Sequence, residues 1–166
     1  MCGLPFAGKT TIARSIAEHN GLQYISVDVI NTERRLGLDG KAIQTHEWTR
    51  TYDEAYRKVE QVLSARQSVV FDDTNFLRSQ RDHLLTIASR CEADRYVLYV
   101  TTSEAEVHRR WLANRIVGHR GDVRDEDFEL VIRQFEPPTP DERVILCDSP
   151  LELDTQAGNP SHLRVH

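Results

Sequence analysis

Eight residues near the start of the chain, Gly3-Leu4-Pro5-Phe6-Ala7-Gly8-Lys9-Thr10, have types and spacing suited to holding phosphate groups. Glycines at both ends of the loop let the backbone wrap closely, so that successive N–H groups point inward at an anion. A helix starting at Lys9 would add the positive end of its dipole. The Lys9 ammonium reaches β- and γ-phosphates, and the Thr10 hydroxyl suits Mg²⁺. The spacing G-x-x-x-x-G-K-[ST] is met at every fixed position. Gly3, Phe6, Ala7, Gly8, Lys9, Thr10 and Thr11 are therefore the candidate nucleotide-binding residues, with ATP and Mg²⁺ as the implied ligands.

Three further groups could act on a phosphate held there. Asp28 closes the apolar run Leu22 to Val27, where a carboxylate can take a proton from an attacking hydroxyl. Asp72-Asp73-Thr74-Asn75 follows the β-branched run Ser68 to Phe71. Successive strand residues face opposite ways, so one carboxylate can hold a metal-bound water while the other faces an acceptor. The third group is arginine-rich: Arg109, Arg110, Arg115, Arg120 and Arg124, with Gly118 and Gly121 between them. Arg109 and Arg110 read as a solvated helix face. Arg115 and Arg120, at a helix end and in a Gly-flanked loop, are candidates for neutralising charge on a transferred phosphoryl group.

These residues need elements to position them. Apolar spacing predicts a helix over Lys9 to His19, stopped by Asn20-Gly21. A strand is predicted over Leu22 to Val27, and a loop with a short helix over Ile30 to Gly40. Glu47 to Ala65 carries Trp48, Tyr52, Ala55, Tyr56, Val59, Val62 and Leu63 at helical spacing. A strand over Ser68 to Phe71, a helix over Leu77 to Cys91 and a strand over Arg95 to Val100 follow. Ser103 and Asp125 can cap two more helices, the first running to about Asn114, the second ended by Pro137-Pro138. Val144 to Cys147 reads as a last strand. Helices alternating with short, continuously apolar strands imply an α/β domain with a parallel sheet covered on both faces. Ligands in such sheets bind at the carboxyl ends of strands, where Asp28, Asp72 and Asp73 fall.

A phosphate loop of this kind follows a buried strand, yet only Met1 and Cys2 precede Gly3. An unpaired gap in mid-sheet would leave ladder donors and acceptors unsatisfied, so the expectation is a strand upstream of Met1. The domain is expected to run from residue 1 to 148, with a polar tail over 149–166.

Composition bounds the function. A chain of 166 residues with 39% apolar and 28% charged residues fits one folded domain rather than a disordered chain. Its 21 basic and 26 acidic side chains leave a net charge of −5, which argues against a general nucleic-acid coat. No apolar stretch approaches the roughly 20 residues of a membrane span. Three widely spaced cysteines form no CxxC pair and suit buried thiols in a reducing cytoplasm. No [NT]KxD guanine motif occurs.

The string GLPFAGKTT, an apolar strand ending in Asp28, VVFDDTN, and an arginine-bearing segment before FEPP together resemble the P-loop kinase group. That group includes the 5′-kinase domain of phage polynucleotide kinase, chloramphenicol phosphotransferases and zeta-toxin-like kinases, and the similarity is greatest to small AAA-type ATP-binding proteins. The resemblance covers about Met1 to Asp148. It implies a three-layer P-loop fold with five parallel strands in the order 2-3-1-4-5. It implies Asp28 as the base, Asp73, Thr74 and Asn75 on the acceptor side, and Arg115 and Arg120 as lid arginines, while many relatives carry their single acid at the position of Asp72, the candidate here for the metal beside Thr10. Polynucleotide kinases carry an arginine three residues after the catalytic acid; here that residue is Asn31, with Arg34 or Arg35 one turn further on. No aromatic-plus-basic strip for stacking bases is evident. The expected activity is ATP-dependent phosphoryl transfer to a hydroxyl of a small molecule. The alternatives are a 5′-hydroxyl polynucleotide kinase and a nucleotide-hydrolysing switch or motor module.

Overall fold

The computed structural model describes residues 1–36, 43–118 and 123–147. Helices and strands alternate as α1 (Lys9–Asn20), β1 (Gln23–Ser26), α2 (Val27–Glu33), α3 (Thr45–Ser64), β2 (Val69–Asp72), α4 (Arg78–Arg90), β3 (Val97–Val100), α5 (Glu104–Val117), α6 (Asp125–Gln134) and β4 (Val144–Cys147). Gly21 ends α1 in the left-handed region at φ 62°, and the Ser103 hydroxyl accepts from Glu106 N–H at the start of α5. Arg124, not Asp125, occupies the cap position of α6. The expected strand over Leu22 to Val27 is shorter. It gives way to α2 at Val27, so Asp28 lies in the first turn of a helix rather than on a strand end. The expected tail over 149–166 lies outside the described residues.

All strand pairing among the described residues is parallel. β1 pairs with β2 in the register Gln23↔Val69 to Ser26↔Asp72, and β3 with β4 from Val97↔Val144 to Val100↔Cys147. Between these pairs runs Met1-Cys2-Gly3. The Met1 amine donates to Phe71 O at 2.9 Å and Gly3 N–H to Thr74 O at 3.2 Å on the β2 side. On the β3 side, Cys2 N–H donates to Leu98 O at 2.8 Å, and Cys2 O accepts from Val100 N–H at 2.9 Å. The spatial order is therefore β1, β2, Met1-Cys2-Gly3, β3, β4, which is the expected 2-3-1-4-5 when the segment entering the phosphate loop is counted first.

The alternation of a strand splits the β1–β2 sheet into two faces. Ile25 and Phe71 turn toward α3 and α4, in a core with Val27, Ile30, Ala55, Val59 and Ile87. Tyr24 turns toward α1, with Arg14 over its ring at 5.5 Å. A second core lies under the phosphate loop, where Phe6, Ala7 and Ile12 meet Val107, Trp111 and Phe128. Trp111 and Phe128 stack nearly parallel at 4.2 Å and so join α5 to α6. A buried ion pair ties the remaining corner: Arg81 of α4 donates to Glu142 at 2.6 and 3.2 Å, with both side chains almost wholly enclosed. No helix among the described residues is long and apolar enough to cross a membrane.

Candidate functional site

The loop from Gly3 to Gly8 leads directly into α1, with Gly8 at its cap in the left-handed region at φ 100°. Gly3 has φ 146°, and a Cβ there would lie 2.8 Å from the carbonyl oxygen of Val100, so only glycine passes between the loop and β3. Phe6 also adopts a left-handed conformation, at φ 61°. A bulky side chain resists that region, and the burial of the Phe6 ring beside Phe128 holds it there. Thr102 donates its hydroxyl to Ala7 O at 2.8 Å, and Arg110 reaches Phe6 O and Ala7 O, both at 3.3 Å. The carbonyls of Phe6 and Ala7 are thus held by side chains from the β3–α5 region, while Ala7 N–H donates to Leu4 O at 3.2 Å within the loop. Lys9, 8% exposed, folds back to donate to Leu4 O at 2.7 Å. Thr10 and Thr11 continue in the first turn of α1, Thr10 half-buried and Thr11 exposed.

The two consecutive acids point to opposite faces, as the pleat requires. Asp72, 4% exposed, accepts from the Tyr24 hydroxyl at 2.7 Å on the α1 face. Asp73 accepts from the Tyr52 hydroxyl of α3 at 3.0 Å. Burial pushes the Asp73 carboxyl above the ordinary carboxylate value. The Thr74 N–H and the Tyr52 hydroxyl oppose this, the charge of Asp28 adds to it, and Lys9 opposes it. Burial, with the charges of Asp73 and Asp28, also drives the Tyr52 phenol well above its usual value. Asp28, exposed at the start of α2, is therefore an electrostatic neighbour of Asp73, Tyr52 and, through Asp73, Lys9.

Other expected residues stand elsewhere. Asn75 does not join the acceptor side: its amide donates to Met1 O at 2.8 Å, it is 1% exposed, and its Oδ1 has no partner. The turn at Asn75 takes φ 44°, which reverses the chain after Asp73 and sends this side chain between the half-sheets. Arg34 is engaged with α3, bonded to the Glu47 carboxylate, to Glu47 O and to the Thr51 hydroxyl. The Thr51 hydroxyl donates in turn to Asn31 at 2.7 Å, so this buried network joins α2 to α3 rather than facing a ligand. Arg115 lies over Trp111 at 4.3 Å and pairs with Asp125 across the α5–α6 joint. Arg120 lies outside the described residues.

Three side chains at the site, Tyr52, Tyr24 and Thr102, were not singled out in the sequence, and Arg110, expected on a solvated helix face, instead reaches the loop carbonyls. Tyr52 sits in the file Trp48-Tyr52-Tyr56, with ring separations of 6.2 and 5.8 Å, whose spacing signals only an inward helix face. The file packs inward, with Tyr56 stacked on Phe71 at 5.9 Å, so it is core rather than a base-stacking strip. Tyr24 reads as an ordinary strand aromatic, and Thr102 and Arg110 act on a loop about a hundred residues away.

Comparison with known proteins agrees with this geometry. A family model described as an AAA domain matches residues 1–138. The L-seryl-tRNA(Sec) kinase of Methanococcus maripaludis is 26% identical over 105 residues, which is 60% of this chain and 39% of that protein. The chain thus spans about two fifths of the length of this curated relative. Chaetomium thermophilum Kti12, solved in complex with ADP-AlF3, superposes with a TM-score of 0.72 at 19% identity, over 98% of this chain and 97% of that one. A gluconokinase from Sinorhizobium meliloti superposes with a TM-score of 0.65 at 20% identity, over 94% and 86%.

Proposed function

The chain belongs to the AAA-domain family, and on that premise we propose that it is an ATP-dependent kinase transferring the γ-phosphate to a hydroxyl of a small molecule. What supports this reading is that the phosphate loop opens α1 at Lys9 while Asp28 and Asp73 each follow closely on the carboxyl ends of the paired strands β1 and β2. A protein that only binds nucleotide needs Lys9 and the loop. It does not need a second carboxylate, held by a tyrosine, facing away from the metal side.

In this reading the backbone from Gly3 to Thr11 cradles the phosphates, and Lys9 exchanges Leu4 O for phosphate oxygens. Thr10 and Asp72 offer hard oxygen donors, which suit Mg²⁺. Bound there, the ion would neutralise phosphate charge. Asp28 takes the proton of the acceptor hydroxyl, and Asp73 and Thr74 orient the acceptor. Arg115 and Arg120 neutralise charge on the transferred group from the α5–α6 side.

A second reading places the hydroxyl on an RNA, favoured by the likeness to a kinase named for L-seryl-tRNA(Sec). The net charge of −5 and a buried Asn31 in place of a phosphate-binding arginine weigh toward the small molecule. Incubation with γ-labelled ATP and a panel of sugars, nucleosides, antibiotics, seryl-tRNA and 5′-hydroxyl oligonucleotides tests the proposal. The expected result is label on one class of small acceptor, abolished in Lys9→Ala. Hydrolysis to free phosphate that no acceptor alters would instead support a switch or motor module.

A further inference from the structure

The peptide between Ala7 and Gly8 sits where the phosphate loop turns into α1. Its trans geometry puts the Ala7 carbonyl and the Gly8 N–H on opposite sides of one plane, so fixing either aims the other. Gly8 itself does not fix that plane. A glycine takes positive and negative φ about equally well, so its φ of 100° is held by its surroundings. Ala7, wholly buried, offers only a methyl group. The Gly8 N–H is one of the orphan donors at the start of α1 and has no hydrogen-bond partner among the described residues.

Two side chains from far along the chain hold the carbonyl instead. Thr102, in the turn between β3 and α5, donates its hydroxyl to Ala7 O at 2.8 Å, and Arg110 Nη1 donates to the same oxygen at 3.3 Å. That nitrogen also reaches Phe6 O at 3.3 Å, so one guanidinium spans two successive peptides of the loop. Arg110 is itself anchored. Its Nε donates to Glu106 Oε1 at 2.7 Å, one helical turn back on α5. Bonds from Arg109 and Arg110 hold the Glu106 carboxyl down at about 2, so the anchor is charged at neutral pH. The Ser103 hydroxyl accepts from Glu106 N–H at 3.4 Å and sets the first turn from which Glu106 projects. The planar fork of an arginine suits this double task, with Nε on the carboxylate and Nη1 on the loop.

We propose that Thr102 and Arg110 are positioning residues for phosphate binding: by holding Ala7 O, they aim the Gly8 N–H at the β-phosphate of the nucleotide. Neither side chain needs to touch the ligand. If the peptide plane turned over, a carbonyl oxygen would replace an N–H beside the phosphate. The loop would then lose an attraction and gain a repulsion. The proposal rests on the reading of the loop as a phosphate cradle, and not on the identity of the acceptor.

Calorimetric titration with ADP and with AMP, without added metal, tests this on the parent chain and on Thr102→Val, Thr102→Ser, Arg110→Met and Arg110→Lys, each with its Tm. AMP lacks the β-phosphate, so the ratio of the two Kd values isolates the group that the Gly8 N–H serves. Thr102→Val keeps the shape of threonine without its hydroxyl. It is expected to lower the preference for ADP over AMP by about tenfold, while AMP binding stays close to the parent's. Thr102→Ser is expected to restore the preference. Arg110→Met should act in the same direction as Thr102→Val, and Arg110→Lys should recover part of the loss through a single donor. Side chains that merely support the fold would weaken ADP and AMP together, in step with Tm, and that result would overturn the proposal. So would an unchanged preference in Thr102→Val and Arg110→Met, or a Thr102→Ser variant no better than Thr102→Val. A parent chain that binds ADP no more tightly than AMP would overturn the cradle reading as well.

Discussion

Asp28 and Asp73 are carboxylates that follow the neighbouring strands β1 and β2, and their surroundings set them apart. Asp28 is exposed on the first turn of α2, whereas Asp73 is half-buried and held by Tyr52. A general base must be ionised and within reach of its proton, and burial, which raises the Asp73 carboxyl, makes Asp73 the poorer base. Asp28→Asn is expected to keep ADP affinity and to lose transfer by about 10²–10⁴-fold, measured as label reaching the acceptor. Asp73 carries a linked stability effect. Its pKa in the fold is raised above the unfolded value, so within that window the folded chain binds more protons than the unfolded one. Stability must then fall as pH rises through the window, and ionised Asp73 costs stability at neutral pH. Asp73→Asn keeps an acceptor for Tyr52, so it should melt at a higher temperature than the parent at neutral pH, with the gap closing in acid. A lower Tm for the variant at neutral pH would contradict this.

At the scale of elements, the buried pair Arg81–Glu142 holds three segments at once. Arg81 also donates to Asn75 O at 2.9 Å, and Glu142 accepts from Thr139 N–H at 2.9 Å, so α4, the turn after β2 and the approach to β4 meet there. Removing one member strands a buried charge: Glu142→Ala should cost about 3–5 kcal/mol, read from urea unfolding. The turn that carries Asp73 would loosen with it. None of this pairing was legible in the sequence, because both residues look like surface charges until the fold encloses them. The helices were legible, since an inward face repeats every three to four residues, as Phe128, Val131, Ile132 and Phe135 do around α6. The boundary at Val27 was not, because Val27 is as apolar and β-branched as Ile25 in the strand before it, and hydropathy alone cannot show where a strand turns into a helix. The loop residues Gly3 to Thr10 were fully legible, being local. Thr102 and Arg110 were not, because they reach the loop only through the parallel crossover.

Across the whole molecule, the nucleotide site stands where the two half-sheets meet, so ligand binding and global stability should be linked. At about 100 times its Kd, Mg·ATP should add about 2.7 kcal/mol to unfolding, and Lys9→Ala should lose most of that gain; melting curves with and without nucleotide measure it. An unchanged gain in the variant would remove Lys9 from phosphate binding. The chain has two tryptophans, at opposite ends of this arrangement. Trp111 stacks on Phe128 in the cluster that contains Phe6 of the loop, whereas Trp48 packs beside Tyr52, which holds Asp73. The molecule therefore carries its own pair of optical reporters: with Trp48→Phe, the remaining emission follows the nucleotide, and with Trp111→Phe, it follows the acceptor. Acceptor screening then needs neither a label nor a coupled assay.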